Sequence, residues 1–221
     1  MVPRNESDRL MIALMRSLLL ASAALLFMAG GAIAHPHVFV TARGTLVYGP
    51  NGALKEIRYA WAFDEMFSSF AAQGLDTNGD GKFSREELAA LAKENVESLK
   101  EFGYFTVAPH GAKAFEFGEP TDYFFDGTDM NSLTLHFTLP VKNAAKGGVA
   151  FEVYDPTYFV AFSLAEQKPI SLDGAPGGCA VEVKNAGDPN STKLSEEFFT
   201  QLQAGADYGA QFANRIAVRC P

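Results

Sequence analysis

The sequence predicts an α+β fold: a mostly antiparallel β-sandwich with an inserted helix-loop-helix and a C-terminal helix. Two observations lead to this class. Several short runs of β-branched and aromatic residues are separated by turns that contain glycine and proline, a pattern typical of sandwiches. The apolar residues change from a strand-like to a helix-like period over residues 64–102, and again over Ser195–Ala204.

Residues 1–34 predict a cleavable secretory signal. The apolar run Ser17–Ala29 follows Arg16 and leads to an Ala-Ile-Ala cleavage site that ends at Ala34. The run is short for a membrane span, and an uncleaved anchor is the alternative. Cleavage after Ala34 would leave residues 35–221 as an exported chain, a length that suits a single domain.

The composition limits the partners that the chain can bind. It contains 18 Lys and Arg residues against 26 Asp and Glu residues, which gives a net charge of −8. An acidic chain is repelled by phosphate backbones, so we expect no nucleic-acid partner.

The chain contains two cysteines, Cys179 and Cys220. An even number of cysteines in an exported protein favours a disulfide. Such a bond would tie the C-terminal residues to the strand that starts at Cys179. A metal pair is the alternative, although no histidine or further cysteine lies near either residue in the sequence.

Two strand-like runs open the predicted domain. Val38–Tyr48 and Leu54–Phe63 are separated by the turn sequence Gly-Pro-Asn-Gly. In the second run Ile57, Tyr59 and Trp61 alternate with smaller or charged residues, which predicts a hairpin with one strongly apolar face. The later predicted strands are Tyr104–Pro109, Ala114–Gly118, Ser132–Leu139, Val149–Tyr154, Tyr158–Leu164, Cys179–Val183 and Arg215–Cys220.

The helix-like segment divides into two predicted helices around a loop. The first helix covers residues 64–75, where Phe67, Phe70, Ala71 and Leu75 share one face. The loop that follows it carries acidic and amide side chains at alternate positions, Asp76, Asn78 and Asp80.

The second helix is predicted from a capping box formed by Ser84 and Glu87. It runs to about Phe102, and Gly103 stops it. Glu87 therefore belongs both to the start of this helix and to the end of the loop.

The loop from Asp76 to Glu87 matches a complete calcium loop of the EF-hand type. Ca²⁺ takes about six to eight oxygen ligands, and a loop of about 12 residues supplies them at fixed offsets. Gly81 at offset 6 permits the sharp turn. The predicted ligands are Asp76, Asn78 and Asp80 at offsets 1, 3 and 5, the backbone carbonyl of Lys82 at offset 7, Ser84 at offset 9, and Glu87 at offset 12. An acidic, glycine-rich connector that binds no ion is the alternative.

The sequence contains a single loop of this kind. Asp188–Phe199 is superficially similar, but Phe199 stands at its offset 12. An exported, unpaired site with three carboxylates is expected to bind Ca²⁺ with a Kd of about 10⁻⁴ to 10⁻³ M. Such an affinity predicts a structural ion rather than a calcium switch.

The segment from His35 to His37 is a second candidate metal site. After cleavage, the free amine and the imidazole of His35 could together chelate a transition metal such as Ni²⁺, Co²⁺, Cu²⁺ or Zn²⁺, with His37 adding a nitrogen. His110 or His136 could complete the site. The alternative is that His35 is frayed and His37 merely starts the first strand.

No enzyme is predicted. The sequence contains no nucleophile elbow, phosphate loop or catalytic zinc motif. The carboxylates of Asp64, Glu65 and Asp155 lie near the ends of predicted elements, where caps and turns use them.

Four segments together carry a family resemblance: His35–Val40, Trp61–Glu65, Leu75–Gly81 and Tyr154–Phe162. They resemble a bacterial periplasmic domain-of-unknown-function family, and the resemblance covers nearly all of residues 35–221, including the cysteine pair. Its members are often labelled as the periplasmic, substrate-binding component of an uncharacterised ABC-type transport system. Many are encoded beside nickel/cobalt efflux permeases.

The resemblance implies a periplasmic location and a membrane permease as partner. The expected function is a calcium-binding accessory protein, or a solute- or metal-binding component, of a transport system with a link to nickel or cobalt. The alternative is a Ca²⁺-stabilised structural or protein-interaction module without a transported ligand. Neither fixes the oligomeric state.

Overall fold

The computed structural model describes residues 36–127, 132–143, 146–186 and 207–221. The predicted signal at 1–34, His35 and the predicted C-terminal helix Ser195–Ala204 lie outside these residues. The described residues belong to one compact unit. No helix among them is long and apolar enough to cross a membrane.

The described chain is a mixed α+β structure made mostly of strands, as predicted. Helices α1 (Glu65–Ala71) and α2 (Ala89–Leu99) lie between the second and third strands, and short 3₁₀ helices cover Lys100–Phe105 and Tyr208–Phe212. The strands are β1 (Val38–Tyr48), β2 (Leu54–Phe63), β3 (Thr106–Val107), β4 (Thr121–Asp126), β5 (Thr134–Pro140), β6 (Val149–Val153), β7 (Val160–Leu164), β8 (Ile170–Asp173), β9 (Ala180–Lys184) and β10 (Asn214–Arg219).

The strands form two sheets. The larger has the order β4-β5-β2-β1-β7, and β8 also pairs with β1. The β1–β2 pair is antiparallel, which confirms the predicted hairpin, whereas β7 and β8 run parallel to successive halves of β1. The smaller sheet has the order β3-β6-β10-β9 and is antiparallel throughout.

One hydrophobic core joins the two sheets. Alternate residues of β2 and β5 supply its larger side chains, because successive side chains of a strand point to opposite faces. The hydroxyl groups of Tyr59 on β2 and Thr106 on β3 form a buried hydrogen bond of 2.9 Å between the sheets. The fully buried side chains of the core include Ile57, Trp61, Leu135, Phe137, Leu139, Phe151 and Ile216.

A disulfide joins Cys179 to Cys220, as predicted, which excludes the alternative of a metal pair. Ala180 on β9 lies opposite Arg219 on β10. The bond therefore joins the two residues that flank this last pair, and it fastens the C-terminal strand to the edge of the smaller sheet.

Strands β4 and β8 were not predicted from the sequence, and one predicted strand is absent from the described residues. The alternation in β4 is interrupted, since Asp122 has a φ of 51° and the register shifts between Thr121 and Phe124. Strand β8 is short, with only four residues. Predicted strand Ala114–Gly118 contains only an isolated bridge.

Helix α1 is shorter than predicted. It ends at Ala71, so the expected apolar face does not extend to residue 75. Phe70, predicted to lie on this face, is 78% exposed, while Ser68 and Ala72 are buried. The prediction for Phe70 is wrong because Phe67, Ser68 and Ala72 form the face of the helix that packs on the core, which leaves Phe70 on the outer side.

Helix α2 begins later than predicted and changes character at its end. Residues 85–88 form a turn, and the helix starts at Ala89. A short right-handed 3₁₀ turn follows it as far as Gly103, where φ is 57°, and Tyr104 has a similar value of 55°. Gly103 thus ends the right-handed segment, as predicted, and a left-handed turn leads through Phe105 into β3.

Candidate functional site

Helix α1 is fixed to the larger sheet at its first turn. The carboxylate of Asp64 caps the helix by accepting the N–H of Phe67 at 2.9 Å, and it also accepts the N–H of Phe39 on β1 at 2.8 Å. One turn later, the Oγ of Ser68 accepts the N–H of Leu133 at 3.0 Å. These bonds hold helix α1, which precedes the loop, on the sheet, and Asp64 is the cap residue that the sequence predicted.

The carboxylate of Asp76 organises the first half of the loop. Its Oδ1 accepts the N–H of Gly79 at 2.7 Å and of Asp80 at 3.2 Å, and its Oδ2 accepts the N–H of Gly81 at 2.9 Å. Three successive N–H groups converge on one carboxylate, so the backbone coils around Asp76.

Asn78 and Asp80 repeat this arrangement on a smaller scale. Asn78 Oδ1 accepts the N–H of Asp80 at 2.8 Å, and Asp80 Oδ1 accepts the N–H of Lys82 at 2.8 Å. Each is an Asx turn, in which a side chain bonds the backbone two residues further on. The nested turns place the side chains at offsets 1, 3 and 5 along one coil.

Two glycines allow this coil to form. Gly79 has a φ of 74° and Gly81 a φ of 76°, the left-handed region in which a Cβ atom is strained. No atom lies within 4 Å of a Cβ built at either position. The requirement for glycine therefore comes from the backbone conformation alone, as the sequence predicted for Gly81.

Glu87 bridges the two ends of the loop. Its Oε1 accepts the N–H of Thr77 at 2.8 Å and the hydroxyl of Thr77 at 2.9 Å. Its Oε2 accepts the N–H of Ser84 at 2.9 Å and the hydroxyl of Ser84 at 2.8 Å. The N–H of Glu87 bonds in turn to Ser84 Oγ at 3.2 Å, so the predicted capping box forms.

These hydrogen bonds stabilise the ionised form of Glu87. Donation from Ser84, and then from Thr77, lowers the pKa of the Glu87 carboxyl to about 2. The bridge is therefore fully charged at neutral pH.

The donor atoms of the loop fit Ca²⁺ in kind. Carboxylate, amide, hydroxyl and carbonyl oxygens at alternating offsets are the ligands of a hard cation. In the described ranges, no group of three His, Cys, Asp or Glu side chains is arranged to hold a metal ion. The two carboxylate oxygens of Glu87 accept hydrogen bonds from Thr77 and Ser84. A cation bound by both oxygens would therefore replace these hydrogen bonds.

The loop also contacts the sheet through a stack of three side chains that sequence reasoning missed. The guanidinium of Arg85 lies 3.7 Å from the centroid of the Phe124 ring. The Phe124 ring stacks on the His136 ring, with centroids 4.7 Å apart and planes at 10°. Burial, opposed by Asp126 and assisted by Arg85, lowers the pKa of His136. The signal in the sequence was the run of three aromatic residues, Tyr123–Phe125, in β4.

The histidines are distributed over separate parts of the described chain. The N–H of His37 donates to the carbonyl of Phe159, and the two rings lie 4.8 Å apart. His136 lies within the stack on β5, and His110 is exposed in a turn. Within the described ranges, no third metal-ligating side chain joins these histidines in a cluster.

Asp155 forms the turn that the sequence predicted. Its Oδ1 accepts the N–H of Thr157 at 2.8 Å and its hydroxyl at 2.9 Å, and its Oδ2 accepts the N–H of Val160 at 2.9 Å. The side chain is almost fully buried. Its oxygens are thus used to hold the connection into β7.

These features define an α+β protein of two sheets with one cross-linked edge and a coiled acidic loop between its helices. The chain belongs to the family described as "Protein of unknown function (DUF1007)", whose model matches residues 20–220. This agrees with the resemblance to a domain-of-unknown-function family.

Two curated relatives match the chain. It is 25% identical to an uncharacterized protein of Haemophilus influenzae over 205 residues, which cover 88% of this chain and 95% of the relative. It is 33% identical to an uncharacterized 15.5 kDa protein in the trpE 3′ region of Spirochaeta aurantia over 105 residues, which cover 47% of this chain and 74% of the relative.

Proposed function

We propose that this protein is a periplasmic, Ca²⁺-binding accessory component of a transport system. In this proposal, one Ca²⁺ ion in the Asp76–Glu87 loop holds helices α1 and α2 on a β-sandwich. The observation that carries the proposal is the coil of nested turns around Asp76, because it sets ligand-type oxygens at the offsets of a calcium loop.

The proposed ligands are oxygens of different kinds. Asp76, Asn78 and Asp80 supply side chains, Lys82 a carbonyl, and Ser84 a hydroxyl or a bridging water. Glu87 closes the site with its carboxylate. The Glu87 carboxyl, with its lowered pKa, is ionised at neutral pH, as a ligand of the cation must be.

Export to the periplasm has two supports. Residues 1–34 match the three-part pattern of a secretory signal. The disulfide between Cys179 and Cys220 is of the kind that persists in oxidising compartments such as the periplasm.

The role in transport rests on the family resemblance. In this proposal the protein acts beside a membrane permease, and the amine and the imidazole of His35, with a nitrogen of His37, offer a site for Ni²⁺ or Co²⁺. Neither a nucleic-acid partner nor catalysis is proposed. The second candidate is a structural module without a transported ligand, which would use the same calcium site. The Arg85–Phe124–His136 stack favours this candidate because it packs the loop on the sheet.

Isothermal titration tests the proposal on the protein that begins at His35. We expect Ca²⁺ to bind with a Kd of about 10⁻⁴ to 10⁻³ M. Glu87→Gln should weaken binding strongly, while Glu86→Gln, its exposed neighbour, should not. Equal affinity in both variants would contradict the assignment of the loop.

The same titration with Ni²⁺, Co²⁺, Cu²⁺ and Zn²⁺ separates the two functions. Binding that is lost in His37→Ala supports the metal-linked accessory role. Binding of Ca²⁺ alone supports the structural module.

A further inference from the structure

A cavity of about 350 Å³ lies between the helices and the larger sheet. Phe67 of α1 and Leu99 of α2 line one side, and Val40, Trp61 and Phe162 of the sheet line the other. The volume falls within the range of about 300–1,000 Å³ typical of small-molecule sites. None of its described lining residues belongs to the Asp76–Glu87 loop, so this cavity is separate from the calcium site.

The walls of the cavity are aromatic. Trp61 lies 5.0 Å from the Phe162 ring and 6.3 Å from the Phe105 ring, centroid to centroid. At the rim, Phe102 is 48% exposed and Phe159 is 47% exposed. Half-exposed aromatic rings at the mouth of an apolar cavity leave contact surface for a planar, apolar molecule.

Trp61, which lines the inner wall, carries a hydrogen-bond donor without an acceptor. Trp61 is 1% exposed, and its Nε1–H has no hydrogen-bond partner in the described part of the chain. A buried indole N–H normally has a partner, and leaving it without one is unfavourable. The nitrogen lies behind the cavity surface, so an acceptor on a bound molecule would reach it after a small shift of the indole ring and would then remove this deficit.

The lining disfavours an anionic ligand. The described lining contains no Lys, Arg or His, and it includes the buried carboxylate of Asp155. The hydrogen bonds that Asp155 accepts come from Thr157 and Val160, so its negative charge has no cationic partner there. A carboxylate or phosphate in the cavity would be desolvated beside this charge without a counter-ion.

We propose that this cavity is a binding site for a small, uncharged, ring-bearing molecule with one acceptor oxygen. This oxygen accepts a hydrogen bond from the Nε1–H of Trp61. The proposal goes beyond the calcium function and does not require it. Since both α1 and α2 line the cavity, an ion in the loop that connects them would tighten binding without contacting the ligand.

The chain has a single tryptophan, so its one indole N–H resonance reports on the cavity directly. Three probes with the same ring system separate the contributions: 2-acetylnaphthalene carries an acceptor, 2-ethylnaphthalene has none, and 2-naphthoate is an anion. The acetyl compound should shift the indole N–H resonance downfield and bind about three- to tenfold tighter than the ethyl compound. The naphthoate should bind weakest.

Substitutions at the rim locate the binding. Ser98→Phe fills the cavity mouth from an exposed position of α2 and should abolish binding of 2-acetylnaphthalene. Lys93→Phe makes a similar change on the same helix at a residue that does not line the cavity, and it should bind normally. In Trp61→Phe, followed by calorimetry, the preference for the acetyl compound over the ethyl compound should disappear.

Three results would overturn the proposal. They are the absence of binding by 2-acetylnaphthalene at millimolar concentration, equal affinity for all three probes, and equal loss of binding in Ser98→Phe and Lys93→Phe. If Trp61→Phe does not fold, the three probes on the native chain and the comparison of Ser98→Phe with Lys93→Phe still test the proposal. Repeating the titration with Ca²⁺ and with a chelator tests the coupling separately: tighter probe binding in Ca²⁺ supports it, whereas equal probe binding in both supports the cavity alone and contradicts the coupling.

Discussion

Gly81 shows how one residue sets the shape of the loop. Its N–H donates to Asp76, and its φ of 76° lies in the left-handed region. Gly81→Ala should lower the free energy of unfolding by about 1–2 kcal/mol, because the new Cβ meets no atom but strains the backbone. Urea unfolding measures the change. Gly177→Ala is the control, since its surroundings are equally open and no positive φ is imposed; an equal loss in both variants would contradict the argument.

His136 should make folding depend on pH. Burial, with help from Arg85, holds its pKa in the folded state below the ordinary value of 6.5. The unfolded chain therefore binds the proton first as the pH falls, and the folded state loses stability as the pH drops through about 6.5. Unfolding free energies of the native chain should decrease more between pH 7.5 and 5.5 than those of His136→Phe. His110→Phe, at an exposed turn, should follow the native chain, and parallel curves for all three would contradict the assignment.

Local sequence spacing was sufficient for some of these residues. Asp76, Gly81 and the Ser84–Glu87 capping box could be predicted because their partners lie within a few positions along the chain. The contact of Arg85 with Phe124 could not be predicted in this way. Phe124 lies on β4, a strand that is distant in the sequence and that the fold brings next to the loop.

At the scale of elements, Asp64 joins helix α1 to strand β1. Asp64→Ala removes the helix cap and also leaves the N–H of Phe39 without this acceptor. The free energy of unfolding should fall by about 1–2 kcal/mol. Glu65→Ala changes an exposed residue in the same first turn. In urea unfolding it should lower the free energy of unfolding by only about 0.3 kcal/mol. A similar loss for the two variants would show that the cap bonds do not stabilise the helix.

Helix boundaries were harder to predict than helix existence. The capping box forms, yet the turn at residues 85–88 separates it from α2, which starts at Ala89. In α1, the exposed Phe70 contradicts the period that placed it inside. Both differences arise because packing against the sheet, rather than local propensity, decides which turns of these short helices persist.

At the scale of the whole molecule, the disulfide fastens the end of the chain. Cys179 and Cys220 are 41 residues apart, so opening the bond should cost about 4 kcal/mol on the chain-entropy model. Replacing both cysteines by serine should lower the unfolding free energy by this amount. A reducing agent should have the same effect on the native chain and none on the variant. Unchanged stability in the variant would show that β9 and β10 hold the terminus without the bond.

The class of fold and the first hairpin could be predicted, but the sheet order could not. Strands β1 and β2 have the predicted bounds because a two-sided pattern and a turn define them locally. The parallel pairing of β1 with β7 and β8 joins segments more than 100 residues apart, and no local pattern encodes that choice. The bulged β4 and the four-residue β8 escaped prediction for a related reason, since irregular or short strands carry little periodic signal.

Thermal unfolding with and without Ca²⁺ tests the central proposal most directly. At about 100 times the Kd, one bound ion adds about 2.7 kcal/mol, which raises the Tm of a chain of this size by about 5–10 °C. The account predicts this increase for the native chain and for Glu86→Gln, and its loss in Glu87→Gln. A Tm that is the same in Ca²⁺ and in a chelator for the native chain would contradict it.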